Sequence, residues 1–243
     1  MNHWIRHAFD GCALPNVRME IPLQSLGIVH TVSRLAPTFT ELAVELLPAV
    51  ETTVITDELL LKRTVRNGMV DNKTRDRLRG HVAALAGFGV DAVLVTCSSV
   101  GDVVDEITQR ADTPVWRVDR AMAERAIDLG TTVGVLATLP TTLVPTSELV
   151  ETVACEAGRA VTVVPRLCDG AFAALDRGES VQHDAIVTEE LDRLTAEVDV
   201  VVLAQASMAR IATVRPTSGT RVLSSPRLAM ERLAEYAAMP GTA

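Results

Sequence analysis

The sequence predicts an α/β protein built from two similar lobes, each with a parallel sheet, related by a pseudo-twofold axis and separated by an active-site cleft. Three observations support this prediction. Short β-branched runs alternate with helical patterns, 48% of the 243 residues are hydrophobic while only 3% are aromatic, and the chain resembles itself at a fixed offset. A core of Val, Leu, Ile and Ala is typical of buried parallel strands covered by helices.

Eight short runs are predicted as strands, because each is rich in aliphatic or β-branched residues and is bounded by Gly, Pro or Asp. They are 26–31, 52–56, 91–96, 114–118, 132–138, 160–165, 199–204 and 221–224. Helical patterns lie between them. Apolar spacing after the cap-like Asp71 and Asn72 predicts one helix over 74–88, and a second pattern ends at Gly130. Regular alternation of this kind predicts right-handed crossovers between parallel strands.

The chain repeats itself when it is shifted by 108 residues, so that Asp91 aligns with Asp199 and Ser99 with Ser207. Nearer the start, with a one-residue slip, Gly27 aligns with Gly134, and Thr31 likewise with Thr138. Apolar runs match by chance more easily than Gly, Thr and Asp do, so the pattern predicts an internal duplication. We therefore predict an N-terminal tail (1–21), a first lobe (22–119) completed by a C-terminal helix (226–238), and a second lobe (120–225).

Composition excludes several function classes. The net charge of −8 and the lack of a Lys/Arg run argue against a nucleic-acid partner, and no apolar stretch is long enough to cross a membrane. The first eighteen residues lack the apolar region of a signal peptide, and the four cysteines lack CxxC spacing. We expect a cytoplasmic protein without a metal site or disulfides.

Cofactor motifs are also missing: no G-x-G-x-x-G follows a strand, and no P-loop occurs. The only lysines, Lys62 and Lys73, lie in a charged stretch that does not suit a Schiff base. No cofactor is therefore expected.

Cys97 follows the strand 91–96, where the next helix begins. Ligands bind at the carboxyl ends of parallel strands, and free amides at a helix N-terminus favour negative charge. Such a position stabilises a thiolate and holds a substrate carboxylate, with Ser98 and Ser99 as further donors. The alternative is a small buried cysteine that only packs.

A threonine-rich loop occupies the equivalent place in the second lobe. The strand 132–138 ends at Thr138, and Thr141 and Thr142 precede a helix. Clustered hydroxyls and amides suit a carboxylate, although ordinary helix capping explains them as well.

The segments "LVTCSS", "GVLATLPTTLVPT" and "DVVVLAQASM" resemble motifs of the aspartate/glutamate/hydantoin racemase superfamily, and the resemblance covers roughly residues 23–236. It implies a cofactor-independent enzyme with two Rossmann-like lobes, in which one cysteine from each lobe flanks the substrate α-carbon. The superfamily also includes arylmalonate decarboxylases and maleate cis–trans isomerases, and a dimer is the expected assembly.

By this resemblance Cys97 is the first-lobe cysteine, Ser98 and Ser99 are carboxylate contacts, and Thr138, Thr141 and Thr142 form the second-lobe loop. The second cysteine should lie six residues after Asp199, where this chain has Gln205. An amide cannot act as a thiol base, so the departure argues against two-base racemisation of aspartate or glutamate.

Three functions stay open. The first is an isomerase or racemase acting at the α-carbon of a small carboxylate, including cis–trans isomerisation by nucleophilic addition of Cys97. The second is a malonate-type decarboxylase in which Cys97 donates the proton and Gln205 a hydrogen bond. The third is a binding protein that has lost catalysis. Further candidate site residues are Thr31, Asp57 and Ser207, with Cys168 as a replacement thiol.

Overall fold

The computed structural model describes residues 23–214 and 220–239, so the predicted tail 1–21 lies outside the described residues. Within these ranges the chain forms two four-stranded sheets with the orders β2-β1-β3-β4 and β6-β5-β7-β8. Every strand pair is parallel. The strands are β1 (Ser25–His30), β2 (Glu51–Thr56), β3 (Ala92–Val95), β4 (Val115–Arg117), β5 (Thr132–Ala137), β6 (Thr162–Leu167), β7 (Val200–Leu203) and β8 (Arg221–Ser224). The predicted α/β class is confirmed.

Helices cover both faces of each sheet. They are α1 (Ala36–Leu46), α2 (Glu58–Asn67), α3 (Asn72–Phe88), α4 (Gly101–Thr108), α5 (Arg120–Leu129), α6 (Pro140–Glu156), α7 (Ala171–Asp176), α8 (Ser180–Thr195), α9 (Ala209–Val214) and α10 (Ser225–Ala237). Met230 and Leu233 of α10 pack in the same cluster as Leu26 and Phe39 of the first lobe. The boundaries proposed for the lobes, 22–119 and 120–225, stay predictions.

The described strands agree with the predicted ones to within two residues at each end. The clearest difference is β6, which begins at Thr162 and continues through Pro165 to Leu167. The predicted strand, 160–165, ends at Pro165 because proline is one of the residues that bound the predicted strands. β6 lies at the edge of its sheet, where a proline is tolerated.

Two aspartates hold the same place in the two lobes. Asp91 precedes β3, and its Oδ2 accepts the backbone N–H groups of Gln24 and Ser25 at 2.9 and 2.7 Å. Asp199 precedes β7, and its Oδ2 accepts those of Thr131 and Thr132, both at 2.9 Å. The repeated aspartates therefore tie each central strand to the start of its neighbour.

The repeated glycines allow a helix to pack closely on the sheet. A β-carbon on Gly27 would lie 2.9 Å from Leu85 of α3, and one on Gly134 would lie 2.8 Å from Leu194 of α8. Gly130 ends α5 as predicted, but in an extended conformation with φ −168°. Its role is close approach, since a β-carbon there would lie 2.3 Å from Cβ of Asp199.

Candidate active site

A small cavity lies between the lobes at the carboxyl ends of the strands, with a volume of about 40 Å³. Its wall comes from the segments that follow β1, β3, β5 and β7, together with α2 and α7. The lining residues are Thr31, Val32, Leu35, Leu61, Thr96, Cys97, Ser98, Ser99, Leu139, Thr142, Phe172, Gln205, Ala206 and Ser207. Most of the predicted site residues are thus brought together.

A larger cavity of about 550 Å³ lies along α4, α6 and α10. Among the described residues its wall holds ion pairs and the aromatic pair Trp116 and Tyr236, but neither cysteine nor histidine. Size alone does not identify a catalytic site. The smaller cavity is the candidate because it lies at the strand ends and contains a thiol.

Cys97 lies where β3 leads into a single 3₁₀ turn, Ser98–Val100, which continues into α4. Its backbone is extended, with φ −140° and ψ 111°, and the residue is 8% exposed. Burial raises the pKa of the thiol. Opposing this are the hydroxyls of Thr31 and Ser99 and the backbone N–H groups of Ser99 and Val100, each of which lowers that pKa. At neutral pH Cys97 is therefore a neutral thiol surrounded by donors suited to a thiolate.

Gln205 holds the equivalent position in the second lobe, at the end of β7. Its Oε1 accepts the backbone N–H of Thr138 at 2.7 Å, and its Nε2 donates to the Thr138 hydroxyl at 2.7 Å. The two bonds fix the orientation of the amide. Thr31 faces Cys97 in one lobe as Thr138 faces Gln205 in the other, but the second partner has no acid–base chemistry near neutral pH.

The two lobes meet inside the cavity through a hydrogen bond between hydroxyls. Ser99 Oγ and Thr142 Oγ1 are 2.6 Å apart, and both residues are buried. Ser98 and Ser207 also line the cavity, whereas Thr141 does not, although its buried Oγ1 has no hydrogen-bond partner. Hydroxyls and turn amides at this junction form a set of donors for a carboxylate.

The candidate Asp57 lies apart from the cavity lining. Its Oδ1 accepts the backbone N–H of Leu59 and caps α2, while its Oδ2 pairs with Arg77 and His81 of α3. Burial raises the pKa of Asp57, but these partners outweigh it and lower the pKa overall. The structure thus gives Asp57 the role of an ionised cap, which accounts for its place after β2.

Cys168 lies in the core of the second lobe rather than on the cavity. It is 0% exposed and packs among aliphatic side chains that include Leu136 and Val187. Burial, together with the charge of Glu190, raises its pKa to about 12. A thiol in this environment is inert, so the structure does not support the replacement-thiol hypothesis.

His30 is the titratable group next to Thr31, and it faces the interior of the first lobe. Its Nδ1 lies 2.8 Å from the Thr96 hydroxyl, and its ring packs on Phe39. Burial lowers the pKa of His30 to about 4, so the ring is neutral near pH 7. It supports the residue before Cys97 without reaching the cavity.

The apolar wall of the cavity was not found from the sequence. Leu61 of α2 and Phe172 of α7 come from opposite lobes and line the cavity together, with Val32, Leu35 and Leu139 beside them. All fourteen lining residues are uncharged at neutral pH. Apolar residues on short helices carry no local signal for such a role, because only the docking of the lobes decides which of them face the cleft.

No helix in the described ranges is both long and apolar enough to span a bilayer. No group of three or more His, Cys, Asp or Glu side chains there is arranged to hold a metal ion.

The chain is similar to known proteins. A family model described as Asp/Glu/Hydantoin racemase matches residues 31–233. Curated proteins give no match.

Several solved structures share the architecture. A putative Asp/Glu racemase from Yersinia pestis superposes with a TM-score of 0.66 and 14% identity, covering 89% of this chain and 100% of that one. An aspartate racemase homologue from Pyrococcus horikoshii superposes with a TM-score of 0.66 and 16% identity, covering 89% of this chain and 100% of that one. An allantoin racemase from Klebsiella pneumoniae superposes with a TM-score of 0.63 and 17% identity, covering 87% of this chain and 86% of that one. The superpositions show a shared fold, and at such low sequence identity they show the fold alone.

Proposed function

From the premise that the chain belongs to the Asp/Glu/hydantoin racemase family, we propose that it is a cofactor-independent isomerase. It moves a proton at the activated α-carbon of a small carboxylate, with Cys97 as the acid–base group. The observation that supports this most is the position of Cys97 just after β3, in a cavity that both lobes line with hydroxyl-bearing side chains. By the same resemblance we propose a cytoplasmic homo-oligomer.

The proposed chemistry begins when the substrate carboxylate replaces the hydrogen bond between Ser99 and Thr142. The freed hydroxyls and the turn amides then donate to its oxygens. Removal of the α-proton places negative charge on those oxygens, and donors already in place stabilise that charge without reorganising. The Thr31 hydroxyl and the Ser99 and Val100 amides stabilise the thiolate when Cys97 has lost its proton.

Gln205 makes the two faces of the α-carbon unequal. Cys97 serves one face, and on the other side an amide bound to Thr138 neither accepts nor releases a proton. Inversion therefore needs water on the second face. Cys97 then transfers protons at its own face faster than water does at the opposite face, so the water side limits inversion.

Decarboxylation is the second candidate, and the amide at 205 favours it. In a malonate the bond between the α-carbon and one carboxylate breaks, carbon dioxide leaves, and the electron pair forms an enediolate. The Cys97 thiol protonates the carbon, and the resulting thiolate regains a proton from solvent. The raised pKa of the thiol keeps it protonated before this step.

The lining also limits the substrate. Carboxylate oxygens on the reacting carbon find hydroxyl and amide donors, but a charged group farther along the substrate would meet Leu61, Leu139 and Phe172 without a counter-charge. Burying an unpaired charge is costly. We therefore propose a substrate whose group beyond the reacting centre is apolar and uncharged.

Proton NMR in deuterated water tests the proposed function. The protein is incubated with amino acids, hydantoins, malonates and maleate, and Cys97→Ala runs in parallel. Loss of an α-proton signal, or a new product, that depends on Cys97 supports catalysis and identifies the reaction class. Released carbon dioxide indicates the decarboxylase. Turnover that survives in Cys97→Ala contradicts the proposal, and binding without turnover in both proteins favours a binding protein.

A further inference from the structure

A buried cation lies behind the candidate site. Arg117 is the last residue of β4 and is 7% exposed. Its Nε and Nη2 donate to the two carboxylate oxygens of Asp119 at 2.8 and 3.0 Å, and its Nη1 pairs with Asp105 of α4. Asp119 is 0% exposed. A two-pronged pair with a buried carboxylate holds the planar guanidinium in one orientation.

The guanidinium is in contact with the segment that carries the thiol. Gly101 follows the Cys97 turn directly and begins α4. A β-carbon built on Gly101 would lie 2.3 Å from Nη2 of Arg117 and 2.5 Å from Cζ. A side chain at 101 would therefore displace the guanidinium or the turn. Glycine at this place is explained by the close approach and not by its backbone conformation, whose φ of −61° is ordinary.

The same cation reaches the second lobe. Arg117 Nη2 lies 3.5 Å from the carbonyl oxygen of Pro145 in α6. The first turn of α6 carries Thr142, whose hydroxyl bonds that of Ser99 inside the cavity. The guanidinium thus lies between the backbone that follows the Cys97 turn and the helix that follows the threonine loop.

We propose that Arg117 is the positioning residue that sets the spacing between the Cys97 turn and α6, and so keeps the thiol buried against the second lobe. It acts through Gly101 and the ion pairs with Asp105 and Asp119, and it does not line the small cavity that contains Cys97. This role concerns where the thiol is held, whichever reaction the thiol performs.

Thiol labelling tests the proposal without a substrate. Native protein carrying Cys12→Ser is treated with iodoacetamide, and the labelling rate of each remaining cysteine is followed by peptide mass spectrometry. Cys155 is exposed and reports the unhindered rate, whereas Cys168 lies in the core of the second lobe and reports global unfolding. Cys97 reports the position of its turn.

Gly101→Ala is the first variant, because it displaces the guanidinium and removes no charge. Gly80→Ala is its matched control, since a β-carbon there meets nothing within 4 Å. We expect labelling of Cys97 to rise by roughly tenfold or more in Gly101→Ala, with Cys168 still protected, because local opening needs less free energy than unfolding. Gly80→Ala, which adds a helix-favouring residue inside α3, should raise neither rate.

Arg117→Lys is the second variant and covers the case in which Gly101→Ala does not fold. It keeps the charge beside Asp119 but cannot bond both carboxylate oxygens in the same way. Faster labelling of Cys97 alone is again expected. Leu42→Ala, in the first-lobe hydrophobic cluster that does not include Cys97, shows how far general loosening of that lobe exposes Cys97.

Two results would overturn the role given to Arg117. One is an unchanged Cys97 rate in folded Gly101→Ala and Arg117→Lys. The other is a rise in Cys97 labelling that Leu42→Ala reproduces at equal loss of stability, or that Cys168 follows. Neither result bears on whether Cys97 catalyses a reaction, so this proposal and the proposed function fail independently.

Discussion

The bond between Gln205 and Thr138 gives a quantitative prediction. Gln205→Ala removes two hydrogen bonds of 2.7 Å each from a half-buried site. At about 1 kcal/mol net for each bond, the free energy of unfolding should fall by about 1–3 kcal/mol. Thr138→Val keeps the shape of the side chain and removes only the hydroxyl partner, because the backbone N–H still donates to Oε1. Its cost should be about 0.5–1.5 kcal/mol.

A double-mutant cycle measures the coupling directly. The combined variant should be about as stable as Gln205→Ala alone, since the hydroxyl has no partner once the amide is gone. The coupling energy is then about 1 kcal/mol. Urea unfolding followed by far-ultraviolet circular dichroism supplies the four free energies. A Gln205→Ala variant as stable as the parent, or a coupling energy near zero, would show that the amide is not held and that its orientation in the cleft is unsupported.

Three further predictions follow from the repeat and from the buried ring. Gln205→Cys places a second thiol opposite the first, so the variant should exchange the α-protons of both enantiomers of its substrate. Chiral chromatography after incubation in deuterated water measures this, and reaction of only one enantiomer would contradict the prediction. Gly27→Ala and Gly134→Ala should each lower the free energy of unfolding by about 1–3 kcal/mol. The new β-carbon would lie 2.9 Å from Leu85 in the first variant and 2.8 Å from Leu194 in the second. A variant as stable as the parent would refute the packing argument. Burial lowers the pKa of His30 from 6.5 to about 4, so its contribution to stability is fully present above pH 6.5. The free energy of unfolding should fall by about 3 kcal/mol as the pH falls from 6.5 through 4. Urea unfolding across this range should show a weaker pH dependence for His30→Asn than for the parent, and an identical dependence would contradict the prediction.

The sequence predicted the architecture well because the relevant signals are local. Short β-branched runs bounded by Gly, Pro or Asp mark strands in any context. The repeat adds long-range information, since aspartates at 91 and 199 must make equivalent contacts in the two lobes. In the structure both accept the backbone N–H groups that start the neighbouring strand.

The rest of the site depends on tertiary docking, which the sequence does not show. Cys97 is marked by its position after a strand, but Leu61 and Phe172 become cavity walls only when the lobes close. Along the chain Arg117 is an ordinary residue at the end of a predicted strand, and only the structure shows its contacts with Asp119 and Gly101. Asp57 also follows a strand, and its caps and ion pairs, invisible along the chain, draw it away from the cavity.

The duplicated lobes have kept their supports while diverging at the reacting position. Thr31 and Thr138 lie at the ends of equivalent strands, and each faces the residue after the neighbouring central strand. That residue is a thiol in one lobe and an amide in the other. This asymmetry is the basis for proposing that Cys97 acts on one face of the α-carbon and water on the other.

The configuration of the deuterated product is the most direct test of that proposal. Wild-type protein and Cys97→Ala are incubated in deuterated water with the substrate found in the panel, and the product is analysed by proton NMR with a chiral shift reagent. Our account predicts that wild-type protein delivers deuterium faster to the face served by Cys97 than to the opposite face, and that Cys97→Ala loses this preferred delivery. Equal delivery to both faces by wild-type protein, or undiminished delivery by Cys97→Ala, would contradict it.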